Sequence, residues 1–194
     1  MTSDTKTQRK RAAHNGKITA APILKLDLAC GQNKREGFTG VDISPLCHPD
    51  IVHDLRVTPW PWTDGSVAEV HSSHFFEHLT GTERIPFMEE LWRILVPAGT
   101  ATIVTPYWAS MRAVQDPTHQ WPPVCEASYL YFNKSWREQN GLDHYPITCD
   151  FDFSYGYVLD GAWAVRHQEA RDFALRHYVS VVNDLQVILT KRSA

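Results

Sequence analysis

The stretch LKLDLACGQNKREGFTGVDI, residues 24–43, limits what this chain can fold into more than any other. Residues 23–29 and 38–43 both read as short apolar strands, with a Cys30-Gly31 turn between them. About nine residues separate the two, fewer than the dozen or so that a helical crossover between parallel strands normally takes. A sheet built this way joins its first strands by loops, and an aspartate, Asp27 or Asp42, stands at the end of each. In an open α/β sheet, ligands sit beyond the carboxyl ends of the strands, where a tight turn lets backbone approach them. Gly31 is the position at which a Cβ is expected to obstruct the turn or the ligand. Asp42 is placed where a carboxylate accepts hydrogen bonds from the vicinal hydroxyls of a ribose, which points to a nucleoside-bearing cofactor.

The remaining pattern extends the sheet. Residues 50–55 and 68–73 read as third and fourth strands, separated by the turn-rich TPWPWTDGS at 58–66. Thr82 is a candidate cap for a helix in which Phe87, Met88, Leu91, Trp92, Ile94 and Leu95 recur near helical spacing, stopped by VPAG at 96–99. TATIVTPY at 100–107 suits a central strand buried on both faces. An irregular segment rich in Trp, Tyr, Pro and His follows at 108–148, and long loops of this kind often carry function. A half-buried strand at 149–159, a helix at 162–178 and a closing strand at 184–192 complete the chain.

Apolar residues make up 43% of the 194 and charged residues 21%, ordinary values for a globular domain, and no apolar run approaches the ~20 residues of a membrane span. Cys30, Cys47, Cys125 and Cys149 are widely spaced with no CxxC pair, so the expectation is free thiols, a reducing compartment and a cytoplasmic location. Residues 1–19 carry Lys6, Arg9, Lys10, Arg11 and Lys17 against Asp4 alone, in a chain whose net charge is −3. The expectation is a mobile basic tail over 1–17 and a single domain over 18–194 with a substrate-side insertion at about 108–148. Such a tail either solubilises the chain or contacts nucleic acid electrostatically.

LDLACG, followed in order by GVDI, VHDL, SSHFFEHL and VPAGTATIVTPY, resembles a class I S-adenosylmethionine-dependent methyltransferase over residues 23–107, most closely the compact methyltransferase-11-like branch. The resemblance implies a Rossmann-like α/β sheet, mostly parallel with an antiparallel closing strand, and shortened helices between the first three strands. It implies S-adenosylmethionine as cofactor. Asp27 and the Leu28, Ala29, Cys30 and Gly31 turn would face its methionine part, Asp42 its ribose and Ile43 the adenine. Asp54 and Leu55 would line the adenine as well, with Asp54 receiving the exocyclic amine. Ser73 and His74 would border the transferred methyl. The chain departs from the family's LGCG and PGG, having Ala29 and Ala98 instead of glycine. An alanine at position 29 is tolerable at negative φ and damaging at positive φ.

Competing cofactors fit less well. Gln32, Asn33, Lys34, Arg35 and Glu36 fill the positions where GxGxxG would admit a pyrophosphate, and GxxxxGK[ST] is absent. Cys47, His48, Asp116, His119 and His144 are ligand types without a recognised ligand spacing, so no metal is expected. A sulfonium methyl is already activated, and its transfer needs alignment more than a metal, with a general base where the acceptor must lose a proton. The candidates for that base are His74, His78, Tyr107, and Asp116 with His119; the last two either orient one another or belong to an Asp-Pro turn. Neither the [DNS]PP[YFW] signature of amino-methylating DNA enzymes nor a Pro-Cys nucleophile is present. The reading therefore favours a small-molecule, sugar or nucleotide acceptor. The alternative is a nucleic-acid-associated enzyme or cofactor sensor tethered by the basic tail, and no feature fixes the oligomeric state.

Overall fold

The structure is a computed structural model that describes residues 24–192. The expected basic tail lies outside the described residues. Seven strands form one sheet: β1 Leu24–Leu28, β2 Thr39–Asp42, β3 Ile51–Val52, β4 Val67–Ser73, β5 Leu95–Pro106, β6 Phe151–Leu159 and β7 Val182–Lys191. Their order across the sheet is β3-β2-β1-β4-β5-β7-β6. The first five pair in parallel, and β7 runs antiparallel to both β5 and β6. The α/β sheet expected from the sequence is therefore present. Among the described residues no helix is long and apolar enough to cross a membrane, and all four cysteines are free.

The short links between the first strands are real. Residues 29–38 connect β1 to β2 without a helix, and a single 3-10 turn, Pro45–Cys47, lies between β2 and β3. The third strand is shorter than the expected 50–55, because only Ile51 and Val52 pair with β2. The chain then turns away through His53 and Asp54, where the Val57 N–H donates to the Asp54 carbonyl.

Register explains which side of the sheet is packed. Leu26 pairs with Val70 and Leu28 with Ser72, while Val70 pairs with Ala101 and Ser72 with Ile103. All six are at most 1% exposed. On the other face Asp27, His71 and Thr102 are in register, so polar groups line it. Thr102 and Val104 are only half-buried, which corrects the expectation that this strand is buried on both faces.

Helix α1, Gly81–Ile94, packs Phe87, Met88, Leu91 and Ile94 into the core. Its cap is Thr80 and not Thr82: the Glu83 carboxylate accepts from the Thr80 N–H and hydroxyl, both at 2.8 Å. The expected stop at VPAG is instead the start of β5, where residues 96–99 bulge out of register with β4. Between β5 and β6 lie α2 (Met111–Gln115), a 3-10 stretch (Glu126–Phe132) and α3 (Lys134–Gln139). The helix expected over 162–178 is broken into α4 (Gly161–Ala164) and α5 (Gln168–His177), because His167 has extended backbone at φ −62, ψ 153.

Candidate active site

After β1 the chain builds outward to β2 and β3, then returns to place β4 on the other side of β1. The segments leaving β1 and β4 therefore diverge, and a crevice opens beyond the strand ends. Ala29–Gly31 forms one wall and Ser73-His74 the other. Two cavities share Ala29. One, of about 340 Å³, is lined by Asp42, Ile43, Leu55, Phe75 and neighbours. The other, of about 410 Å³, is lined by Asp27, Cys30, Gly31, His71, Ser73 and His74 among others. Both volumes fall in the range of small-molecule sites, about 300–1,000 Å³.

Asp42 lines the first of these cavities. Its Oδ2 accepts from the Gly31 N–H at 2.9 Å and its Oδ1 from the Ser44 N–H at 2.8 Å. A carboxylate has about four acceptor positions, so about two remain unspent. Ile43, 54% exposed, and buried Leu55 and Phe76's neighbour Phe75 give the same cavity apolar surface. Asp54 lies on the loop after β3 rather than on the strand. Its Oδ1 accepts from the Arg56 N–H and Nε and its Oδ2 from Nη2, all at 2.9–3.0 Å. Those bonds hold its pKa below the usual carboxylate value and leave about one acceptor position.

The turn itself differs from the sequence reading. The Cys30 N–H is spent on the Val41 carbonyl and the Gly31 N–H on Asp42, so neither is free to meet a ligand. Gly31 has φ +53, and a Cβ there would meet nothing within 4 Å. The positive φ is the reason a glycine suits this turn. Ala29 has φ +54 and His74 φ +55, two strained non-glycine residues facing each other across the crevice. Leu28 is wholly buried, so only its main chain borders the turn. Burial, with the nearby Asp27 and Asp42, pushes the Cys30 thiol up to about 11. Asp27, 3% exposed, accepts from the Arg35 N–H and pairs with His71 Nδ1, both at 2.7 Å.

Four of the five residues named as acid–base candidates lie together. His74, His78, Asp116 and His119, with Glu77 and Arg112, line a further cavity of about 180 Å³. His74 also lines the Asp27 cavity, so it borders both spaces. Contact with Glu77 raises the His74 pKa against the opposing effect of burial. Asp116 does both things the sequence allowed: its Oδ1 accepts from the Thr118 N–H and hydroxyl, and its Oδ2 stands 3.8 Å from His119 Nε2. Tyr107 packs at 5.2 Å against Tyr157 and lines none of these cavities.

A S-adenosylmethionine-dependent methyltransferase from Archaeoglobus fulgidus superposes with a TM-score of 0.62 at 20% identity, over 86% of this chain and 85% of that one. The fold is that of the class I methyltransferases. The protein held by the Trm112 methyltransferase activator in a Haloferax volcanii complex shares this methyltransferase fold, with a TM-score of 0.53, 18% identity and 89% and 83% coverage. So does the [4+2]-cyclase SpnF, with a TM-score of 0.51, 14% identity and 89% and 76% coverage. No family model matches the sequence, and no curated protein does.

Within the methyltransferase fold, several residues of the crevice escaped the sequence reading. His71 is invisible as a partner of Asp27 until register places the two side by side. Alternation was the available signal, since it puts His71 and Ser73 on one face. Phe75 and Arg56 come from loops and Arg112 from the short helix α2, none with a periodic signature. Asp184 enters from β7, where its Oδ2 accepts from Arg112 at 2.6 Å and its Oδ1 lies 4.0 Å from His74.

Proposed function

We propose that this chain transfers a methyl group from S-adenosylmethionine to a small-molecule, sugar or nucleotide acceptor. Because a cyclase shares the fold, the reading rests on the site. The observation that carries it is Asp42: a carboxylate fixed by two backbone N–H groups, with two acceptor positions left at the mouth of an apolar slot. A ribose diol fits that geometry, and an adenine beside it would lie against Ile43, Leu55 and Phe75. The last acceptor position of Asp54 suits an exocyclic amine. Asp27, Cys30, Gly31, Ser73 and His74 would surround the methionine end across Ala29.

When bound, the sulfonium would supply an activated methyl to the acceptor's lone pair, with the carbon–sulfur bond breaking and its electron pair departing on the neutral thioether. The chain's own work is placement and proton handling. Asp42 fixes the nucleoside, and the Cys30 N–H to Val41 carbonyl and His74 N–H to Val104 carbonyl bonds tie the two walls to neighbouring strands. His74, bordering both cavities, is the group suited to take a proton from an acceptor hydroxyl or ammonium. His78, Asp116 and His119 would hold that acceptor. Calorimetric titration with S-adenosylmethionine and S-adenosylhomocysteine tests the reading: each should bind once per chain, competitively. Failure of both to bind would overturn it.

The charge of residues 1–19 favours a second reading, in which nucleic acid is held near the site. Single-stranded RNA should then bind the full chain with affinity that falls steeply as salt rises. No binding at low salt removes that reading and leaves the first in place.

A further inference from the structure

We propose that Glu77, His78 and His119 bind one divalent transition-metal ion at the rim of the acceptor cavity. One ligand atom from each lies within 4.8 Å of the others. No short sequence spacing announces this set. Glu77 and His78 come from the turn after β4 and His119 from the loop after α2, and the Gln120 N–H joins the two segments by donating to the Glu77 carbonyl at 2.8 Å.

Glu77 supplies the first argument. It is 4% exposed, and neither carboxylate oxygen accepts a hydrogen bond from any described residue. His74 Nδ1 approaches Oε1 at 3.4 Å without hydrogen-bond geometry. Arg84, which bears on Glu77 electrostatically, spends its Nη1 on the Pro122 carbonyl at 2.8 Å. A buried carboxylate left without hydrogen bonds is costly unless a cation meets it.

The histidines supply the second. Nδ1 of His119 faces the Ala113 carbonyl at 3.1 Å, and a carbonyl only accepts, so this nitrogen carries the proton. The Thr118 hydroxyl donates its one proton to Asp116 at 2.7 Å, so His78 Nδ1, at 3.0 Å from that oxygen, must donate to it. In its neutral form each ring therefore presents Nε2 as the unprotonated nitrogen, with Nδ1–H anchored to a protein acceptor. That is the arrangement surrounding metal-bound histidines, where a partner behind the ring fixes tautomer and orientation. The rings stand 4.7 Å apart at 76°.

Two imidazoles and one carboxylate select Mn²⁺, Fe²⁺, Co²⁺ or Zn²⁺ over Mg²⁺ and Ca²⁺, which prefer oxygen ligands. Ligand atoms around a tetrahedral ion with bonds of about 2.1 Å stand about 3.4 Å apart, so the three side chains close inward on binding. The remaining positions open toward the cavity shared with His74 and Arg112, and would take an oxygen donor: water, or a hydroxyl or carboxylate of the acceptor. The ion's binding does not depend on the methyl-transfer reading.

Tag-free full-length protein, stripped with a chelator and dialysed, is titrated calorimetrically with Mn²⁺, Co²⁺, Zn²⁺ and Mg²⁺. One equivalent of each of the first three should bind, Mg²⁺ more weakly, and the Co²⁺ form should show visible d–d absorption. Glu77→Gln and His119→Ala should each weaken binding about 100-fold or more, and Thr118→Val, which frees the His78 ring, about 10–100-fold. Thermal melts establish that each variant is folded; if Glu77→Gln is not, the other two decide. Absence of stoichiometric Mn²⁺, Co²⁺ and Zn²⁺ binding, or undiminished binding in His119→Ala, would overturn the proposal. Metal binding without S-adenosylhomocysteine binding would overturn the methyltransferase reading and leave this one standing.

Discussion

Replacing Ala29 and Ala98 by glycine should stabilise the protein. Each has positive φ, +54 and +60. An L-residue in that left-handed region costs about 1–2 kcal/mol, which glycine escapes. Glycine also brings a larger entropy loss on folding, about 0.5–1 kcal/mol relative to alanine. The difference is a gain of about 0.5–1 kcal/mol per site. Ala98 is exposed in the bulge of β5, so its substitution removes strain with little packing to lose. Ala29 is half-buried beside the crevice and should gain somewhat less. With no shared partner the two effects should add, to about 1–2 kcal/mol, or a melting temperature higher by about 2–8 °C in a domain of this size. Urea melts of both single variants and the double variant measure this, with an unchanged slope showing that the unfolded state has not altered. If Ala98→Gly destabilises by the ordinary glycine cost, the backbone is not left-handed there and the reasoning fails.

Two further predictions concern charge and reactivity. Burial works to raise the pKa of Glu90, but hydrogen bonds from Arg93 and from the Trp60 N–H, at 2.6–2.8 Å, outweigh it and hold the value low. A depressed folded pKa contributes stability above the unfolded value, near 4.3, that is lost as pH falls through the folded one. Glu90→Gln should cost about 3 kcal/mol at pH 7, the lower end for a broken buried pair, since Arg93 keeps Asp64 and two carbonyls. Chemical melts from pH 7 to pH 3 should show that gap closing; a gap that widens toward acid contradicts the account. Cys30, with its thiol raised to about 11 and buried, should alkylate at pH 7.5 at least about 100-fold more slowly than a free cysteine. Mass mapping after iodoacetamide should find half-exposed Cys47 and Cys125 labelled before Cys30, and equal rates would place Cys30 in an open turn.

Much of the sheet was legible because its physics is local. Leu26, Leu28 and Val70 sit in short apolar strands, the run from Ala101 to Thr105 is largely β-branched as a strand favours, and the brevity of residues 29–38 excluded a helix. The third strand was overextended because pairing, not composition, ends it at Val52. The cap was misplaced by two residues although Glu83, three positions after Thr80, was the available signal. Asp42 was readable as a strand-end carboxylate, yet nothing local shows that it also ties down Gly31. His71 beside Asp27, and Glu77 beside His119, depend on register and on loop return, which no stretch of sequence displays.

The proposed function stands on the carboxylate of Asp42 serving as a berth for a ribose diol. The most direct measurement is the calorimetric affinity of S-adenosylhomocysteine for the wild-type chain and for Asp42→Ala, with melts establishing that both are folded. Losing hydrogen bonds to a charged acceptor should weaken binding by about 1.5–3 kcal/mol, about 10–150-fold. Equal affinity in the two proteins would contradict the claim.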